Sequence, residues 1–158
     1  MNRIQAAIIT MSDSRSQSTE KADESGAVIK EILEANDYEV VHYELISDDL
    51  DGIKNSLIRV CDQNISLVLT TGGTGLSKRD NTPEATKAVI EKEVQGISEA
   101  MRYHSLQITP RAMLSRGVSG IRQNSLIINL PGSPKAVREN LEYIIPSLRH
   151  GLEILRGE

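Results

Sequence analysis

The chain has 158 residues, of which 39% are hydrophobic and 25% are charged, and its formal net charge is −4. This length and composition predict a single domain over residues 1–158 with a sizeable hydrophobic core. The acidic balance and the scattered Lys and Arg residues argue against bulk attraction to nucleic acid or to an anionic membrane. Phe and Trp are absent and only four Tyr are present, so the chain also lacks the aromatic surfaces on which single-stranded nucleic acids stack.

Cysteine and histidine content argues against further classes of protein. Cys61 is the only cysteine, which excludes an intrachain disulfide and a CxxC redox or zinc motif; we expect a buried helix residue. His42, His104 and His150 lack metal-ligand spacing and no GxSxG motif is present, so metal hydrolase and triad chemistry are not favoured. The N-terminus has no signal-peptide pattern and no apolar run reaches membrane-spanning length, which predicts a cytoplasmic protein.

The first half of the chain alternates between apolar runs and helical periods. Helical periodicity is present over residues 19–35 and 51–62, where apolar side chains recur on one face. Strands that alternate with helices predict a parallel α/β sheet covered by helices. Together with one run late in the chain, the predicted buried strands are residues 4–11, 38–45, 66–71 and 125–130.

The second half begins with a helix signal at Thr82, a good N-cap residue, followed by Pro83 at the predicted first helical position. This helix is expected to run to Glu93. Residues 96–122 have weaker periodicity and predict short helices around the sheet. A last helix is predicted from Ser133 onward, kinked or broken at Pro146.

The most informative segment is TTGGTGLSKRDNTPE at residues 70–84, which joins the third predicted strand to the following helix. Its glycines permit positive φ and let backbone N–H groups approach an oxyanion, and threonine hydroxyls lie beside them. The segment has neither the Gly-Lys-Ser/Thr end of a P-loop nor GxGxxG spacing. The candidate phosphate-binding residues of this loop are Thr71, Gly72, Gly73, Thr74 and Gly75.

Glycines alone are equally compatible with a mobile connection that needs them for turn geometry. Arg79 and Asp80 follow closely enough to face the same ligand. This charged pair and the hydroxyls favour a binding site over a plain turn.

Two other segments follow predicted strands and are expected at the same edge of the sheet, where ligands of open α/β sheets bind. The last segment carries Lys135 just inside a predicted helix N-terminus. A cation there opposes the helix dipole unless an anionic ligand occupies the turn, although a solvated lysine tolerated at small cost remains an alternative. The candidate residues of the two segments are Ser12, Asp13 and Ser14, and Pro131, Gly132, Ser133, Pro134 and Lys135.

Carboxylates after the strands are candidates for holding a magnesium ion together with phosphate oxygens. These are Asp13, Asp48, Asp49 and Asp80. For the pair Asp48 and Asp49, capping of the helix ahead of Ile53 is the competing explanation.

Residues 70–84 and the segment NLPGSPKA at 129–136 resemble the signatures of the MogA/MoaB family of molybdenum cofactor biosynthesis proteins. The segment TMSDS at 10–14 fits the same family. Residues 110–116 (PRAMLSR) and 120–122 (GIR) are similar to the MogA branch, so the resemblance covers essentially the whole chain.

This resemblance implies a three-layer α/β/α domain with a mostly parallel central sheet, commonly assembled as trimers or hexamers. It implies molybdopterin adenylylation with ATP and Mg²⁺ in the cytoplasm, upstream of a molybdotransferase. Family roles carry over to Asp80, which matches the essential aspartate that closes the glycine motif, and to Asp48 as a second functional aspartate; we expect both to hold magnesium or to position phosphates. The family often has proline before that aspartate, whereas Ser47 precedes Asp48 and Asp49 here, so the choice between these two stays open. The rival function is a non-catalytic MoaB-type pterin- or nucleotide-binding paralogue.

Overall fold

The computed structural model describes residues 3–12 and 23–158. Over these residues, strands and helices alternate through the first half of the chain and continue into a second, less regular half. The elements are β1 (Ile4–Met11), α1 (Glu24–Ala35), β2 (Tyr38–Ile46), α2 (Leu50–Asp62), β3 (Leu67–Thr71), α3 (Thr82–Val89), β4 (Lys92–Glu93), α4 (Gln95–Leu106), a 3₁₀ turn (Pro110–Leu114), β5 (Ser119–Arg122), β6 (Ser125–Leu130) and α5 (Pro134–Leu155).

The strands form one mostly parallel sheet in the order β2-β1-β3-β6-β5-β4. The pairs β1–β2, β1–β3 and β3–β6 are parallel, whereas β5 and β4 extend the sheet in antiparallel pairs. The chain moves from β1 outward to β2 and then returns to β3 on the other side of β1. Such a reversal leaves a crevice at the carboxyl ends of the two strands where loops can form a site.

Helices cover both faces of this sheet, and the alternation within β1 shows how. Ile4, Ala6 and Ile8 belong to a core shared with α1, α4 and α5. Ala7, Ile9 and Met11 belong to a second core shared with α2 and α3. Because every second side chain of a strand points to the same face, two apolar faces require two helical layers. The three-layer α/β/α fold is therefore confirmed.

The short strands β4 and β5 were not predicted: residues 92–93 were expected to end the helix that begins at Thr82, and residues 119–122 were expected within short helices, but the two segments pair with each other. Gly120 explains why the hydrophobic pattern was weak there. A Cβ at this position would lie 2.5 Å from Cδ1 of Ile90 and 2.8 Å from the carbonyl oxygen of Lys92. The backbones approach too closely for a side chain, so an apolar residue is excluded where the strand would otherwise show one.

Two helix boundaries also differ from the sequence prediction. Asn81, not Thr82, is the N-cap of α3, and Thr82 and Pro83 form the first turn; the Thr82 hydroxyl instead donates to the Gly72 carbonyl at 3.0 Å. The helix ends at Val89 because Ile90 is extended and leads into β4. Of the kink or break predicted at Pro146, the break does not occur: α5 continues through this residue, since apolar side chains on either side, such as Leu141 and Leu152, are buried in the core.

Candidate functional site

Three neighbouring parallel strands end in register at the carboxyl edge of the sheet. Thr10 of β1 lies opposite Thr71 of β3, and Thr71 lies opposite Leu130 of β6. The chain leaves each strand at nearly the same height. The segments after β3 and β6 therefore lie side by side, as the sequence predicted for parallel strands, and Ser12 is the described residue that follows β1 at this edge.

The glycine loop after β3 depends on its first two glycines. Gly72 and Gly73 have φ of 94° and 69°, a region that L side chains rarely adopt. A Cβ on Gly72 would lie only 2.4 Å from the carbonyl oxygen of Met11. The carbonyl of Gly73 accepts the backbone N–H of Thr82 at 3.2 Å, which ties the start of the loop to α3. The loop is therefore a specific backbone turn, held at both ends.

The glycine loop is joined directly to the loop after β6. The Thr71 hydroxyl donates to the Pro131 carbonyl at 2.6 Å, and Gly132 approaches Gly72 so closely that its Cβ would lie 3.5 Å from the Gly72 Cα. Ser25 of α1 donates to the Gly132 carbonyl at 2.6 Å. The threonine predicted to bind a ligand therefore also fixes the distance between two of the three loops.

The N-terminus of α5 is capped as predicted. The Ser133 side chain accepts the backbone N–H of Ala136 at 3.2 Å, and Pro134 is the first helical residue. The side chain of Lys135 is 84% exposed and lies 3.9 Å from Glu139 one turn later. This geometry supplies the i,i+4 partner that offsets part of the unfavourable interaction between the lysine and the helix dipole.

The structure separates the two neighbouring aspartates after β2. Asp49 caps α2, its carboxylate accepting the Gly52 N–H at 2.8 Å. Asp48 is half-buried and turns the other way: its Oδ1 lies 3.0 Å from the Cβ position of Gly73, and its backbone carbonyl accepts the Asn81 amide at 2.9 Å. Only Asp48 therefore faces the glycine loop.

Asp80 approaches the same loop from its C-terminal end. Its Oδ2 accepts the Ser77 N–H at 3.0 Å and lies 3.0 Å from the Cβ position of Gly75. The carboxylates of Asp48 and Asp80 thus lie against Gly73 and Gly75, two glycines of the same loop. Across residues 3–12 and 23–158, no group of three or more His, Cys, Asp or Glu side chains gathers to hold a metal ion, so a cation here would need oxygens from a ligand as well.

The segment after β1 is described only in part. Ser12 is half-buried, and its backbone N–H donates to the Ile46 carbonyl at 3.0 Å; Asp13 and Ser14 lie outside the described residues. The far end of this segment is anchored at Asp23, which accepts hydrogen bonds from the Thr10 hydroxyl at 2.7 Å and from the Tyr43 hydroxyl. Arg79 is exposed on the glycine loop.

Arg116 is a residue of this site to which sequence reasoning gave no role. It lies between the 3₁₀ turn and β5, and its side chain donates to the carbonyl oxygens of Gly75 and Asp80 at 2.7 and 2.9 Å. It also forms an ion pair with Glu84 at 2.6 Å, and this hydrogen bond lowers the pKa of the Glu84 carboxyl. Membership of the motif at 110–116 was the only signal that could have pointed to it.

Asn129 of β6 joins the strands below the loops. Its buried amide donates to the hydroxyls of Thr70 and Thr86 at 3.0 Å each and accepts the Val118 N–H at 3.0 Å. All three of these hydrogen bonds are made inside the protein. The Asn129 side chain therefore supports the loops and does not face a ligand. Beside it, next to Pro131, lies a cavity of about 210 Å³ that Arg102 and Asn140 help to line.

None of the helices in the part of the chain that the structure describes is long and apolar enough to cross a membrane. The three-layer α/β/α fold, with a glycine loop and two carboxylates at the carboxyl edge of its sheet, is the arrangement of an α/β ligand-binding domain. A family model described as a probable molybdopterin binding domain matches residues 7–150. The chain is a member of this molybdopterin-binding family, which confirms the MogA/MoaB resemblance.

Similar proteins support this assignment, and the similarity extends over nearly the whole length of each of them. A molybdopterin adenylyltransferase of Helicobacter pylori (strain J99) is 45% identical, over 99% of this chain and 90% of that protein. The molybdenum cofactor biosynthesis protein B of Staphylococcus aureus (strain COL) is 39% identical, over 95% and 91%. The crystal structure of the molybdopterin biosynthesis enzyme MoaB from Thermus thermophilus superimposes with a TM-score of 0.92 at 44% identity and covers 98% of both chains.

Proposed function

We propose that this protein is a molybdopterin adenylyltransferase, a cytoplasmic nucleotidyltransferase that moves AMP from ATP to the terminal phosphate of molybdopterin. The observation that carries the proposal is the placement of Asp48 and Asp80 against one glycine loop at the carboxyl edge of the sheet. Backbone N–H groups of such a loop favour phosphate, and paired carboxylates favour the divalent cation that accompanies ATP. The 45% identity to an adenylyltransferase supports the same activity.

The chemistry is nucleotidyl transfer between two phosphate groups. An oxygen of the molybdopterin phosphate attacks the α-phosphorus of ATP, a P–O bond forms, and the bond to pyrophosphate breaks, so pyrophosphate leaves with the electron pair. A phosphate monoester has its second pKa near ~6 and is mostly dianionic at neutral pH. The attacking oxygen therefore needs no protein base, and we assign the two aspartates to positioning phosphates and cation.

The residues present fit a magnesium ion. Two carboxylates contribute the hard oxygen ligands that this ion prefers, and its remaining positions are normally filled by water and substrate phosphates. When bound, magnesium neutralises phosphate charge and orients the reacting groups. Asp48 and Asp80, which both lie against the glycine loop, would hold it.

The other candidate residues bind the substrates in this proposal. The amides of residues 72–75 cradle a phosphate, and the turn at Ser133 with Lys135 stabilises anionic charge at the start of α5. Because Lys135 is largely exposed, it can turn from Glu139 to a ligand. The remaining binding residues are Ser12, Asp13, Ser14, Thr71, Thr74, Arg79, Pro131, Gly132 and Pro134.

The proposal is tested with purified protein, molybdopterin, Mg²⁺ and α-labelled ATP. We expect adenylylated pterin and pyrophosphate from the wild type, and a loss of the order of 100-fold in kcat for Asp80→Asn and Asp48→Asn, since each removes charge from the phosphate and cation site. Asp49→Asn is the matched control, because Asp49 only caps α2 and asparagine is a good cap. Full turnover with unchanged magnesium dependence in Asp80→Asn would refute the assigned roles.

A non-catalytic binding paralogue is the second candidate, favoured by the similarity to a protein named molybdenum cofactor biosynthesis protein B, a name that states no activity. Tight binding of pterin or nucleotide without product from the wild type would establish it and exclude the transferase. We further propose, from the family resemblance, a homo-oligomer, trimeric or hexameric, that passes its product to a molybdotransferase. Light scattering of the purified protein decides its oligomeric state.

A further inference from the structure

We propose that Arg116 is a positioning residue that fixes the glycine loop and the Asp80 carboxylate for catalysis. Its role in turnover rests on the proposed adenylyl transfer, whereas its role in ordering the loop does not. The residue comes from the far, antiparallel side of the sheet, just ahead of β5, and reaches the loop after β3.

The hydrogen bonds of Arg116 support this inference, because they join the middle of the glycine loop to its C-terminal end. The backbone N–H of Arg116 donates to the Thr74 carbonyl at 2.9 Å. Its Nε donates to the Gly75 carbonyl at 2.7 Å, and Nη2 donates to the Asp80 carbonyl at 2.9 Å. Nη1 donates to Glu84 Oε2 at 2.6 Å, which anchors the guanidinium to the first turn of α3. One rigid guanidinium thus holds the carbonyls of Gly75 and Asp80, and the backbone N–H of the same residue holds the carbonyl of Thr74.

The direction of these bonds matters for binding an anion. In a trans peptide the N–H points opposite to the C=O, so carbonyls of Thr74 and Gly75 that face Arg116 turn the N–H groups of Gly75 and Leu76 away from it. The carbonyl oxygens of Thr74 and Gly75, which would repel a phosphate, therefore point toward Arg116 and away from the side to which these N–H groups point. The planar fork of arginine can serve two carbonyls and a carboxylate at once, which the single ammonium of lysine cannot do in fixed geometry.

The same contacts distinguish positioning from a purely structural role. The side chain of Arg116 is 34% exposed and that of Glu84 is 47% exposed, so the ion pair adds little to global stability. Replacement of Arg116 should therefore disorder the loop without unfolding the protein. Ser77 and Asp80 provide the reporters, since their N–H groups are bonded inside the loop, to Asp80 Oδ2 and to the Ser77 carbonyl.

The test compares Arg116→Lys with Arg122→Lys, a matched control that contacts the last turn of α3 instead of its first. Arg122 donates through Nη1 to the Val89 carbonyl at 2.8 Å, away from the glycine loop. For Arg116→Lys we expect amide hydrogen exchange of residues 74–80 to accelerate at least tenfold, kcat to fall at least tenfold, and the magnesium requirement to rise. For Arg122→Lys we expect none of these changes, with a comparable shift in melting temperature. Glu84→Gln should give an intermediate effect, because the carbonyl contacts of Arg116 remain.

Unchanged exchange in Arg116→Lys would overturn the proposal, and so would faster exchange with wild-type kcat and magnesium dependence. Equal losses of kcat in the two lysine variants would also overturn it, because they would reflect general destabilisation. Absence of turnover in the wild type would refute the proposed function alone, and the exchange comparison would then decide whether Arg116 orders the loop.

Discussion

Gly72 is the residue at which the site tolerates no side chain. Its φ of 94° costs a non-glycine residue roughly 1–2 kcal/mol, and a Cβ would meet the Met11 carbonyl at 2.4 Å. We therefore expect Gly72→Ala to lower the free energy of unfolding by at least about 2 kcal/mol and to abolish ligand binding. Urea unfolding and nucleotide binding measure the two effects; a wild-type midpoint in urea would show that the loop relaxes without cost.

At the residue scale, the sequence located the glycine loop after β3 but left open which of two adjacent aspartates faces it. Asp48 and Asp49 are adjacent and chemically identical, and their roles depend on where β2 ends and α2 begins to within one residue. Arg116 was beyond reach for another reason: its partners Gly75 and Glu84 precede it by 41 and 32 residues. Local sequence patterns carry no information about contacts between residues that are so far apart along the chain.

The helix α5 contains a position at which a substitution should raise the free energy of unfolding. Gly151 lies within this helix, is exposed, and has nothing within 4 Å of its Cβ position. Because glycine loses more conformational entropy than alanine in a helix, Gly151→Ala should stabilise the protein by roughly 0.5–1 kcal/mol. Urea unfolding measures this gain; a loss of stability together with a change in oligomeric state would mean that a second copy covers this helix face.

Elements with strong apolar periodicity were predicted well, and those shaped by close backbone contact were not. The four long strands β1, β2, β3 and β6 fall within one residue of their predicted ranges, because buried parallel strands are continuous apolar runs. The expected helix to Glu93 was wrong, since β4 pairs with β5 from another part of the chain. A propensity pattern cannot report a partner strand that lies so far along the sequence.

At the scale of the whole molecule, we expect the protein to lose stability in acid because of one carboxylate, that of Glu44, which lies between the sheet and a helical layer. Burial raises the pKa of Glu44, but hydrogen bonds with Ser56 and His42 and the charges of His42 and Arg59 outweigh it, so the pKa lies below its usual 4.5. The unfolded chain then takes up the proton first. The stabilisation is therefore present above pH 4.5 and is lost as pH falls through the lowered pKa.

We expect Glu44→Gln to reduce the free energy of unfolding by roughly 1–2 kcal/mol at pH 7 and to flatten its decline below the usual carboxyl pKa of 4.5. Urea unfolding at a series of pH values measures both effects. Lys30 and Glu34, a half-exposed pair at 4.0 Å, provide the control, since Glu34→Gln should change the free energy of unfolding at pH 7 by less than about 0.5 kcal/mol. Parallel acid limbs for wild type and Glu44→Gln would contradict the assignment.

The loops of the site come from distant parts of the chain, since Thr71 and Pro131, which bond to each other, are 60 residues apart. No partly folded chain contains the site, so a ligand binds only the native state. At one hundred times its dissociation constant it would add about 2.7 kcal/mol to the free energy of unfolding. Proteases that act on transiently unfolded molecules would then degrade the occupied protein more slowly. Substrate supply would thereby set how much of this protein a cell retains.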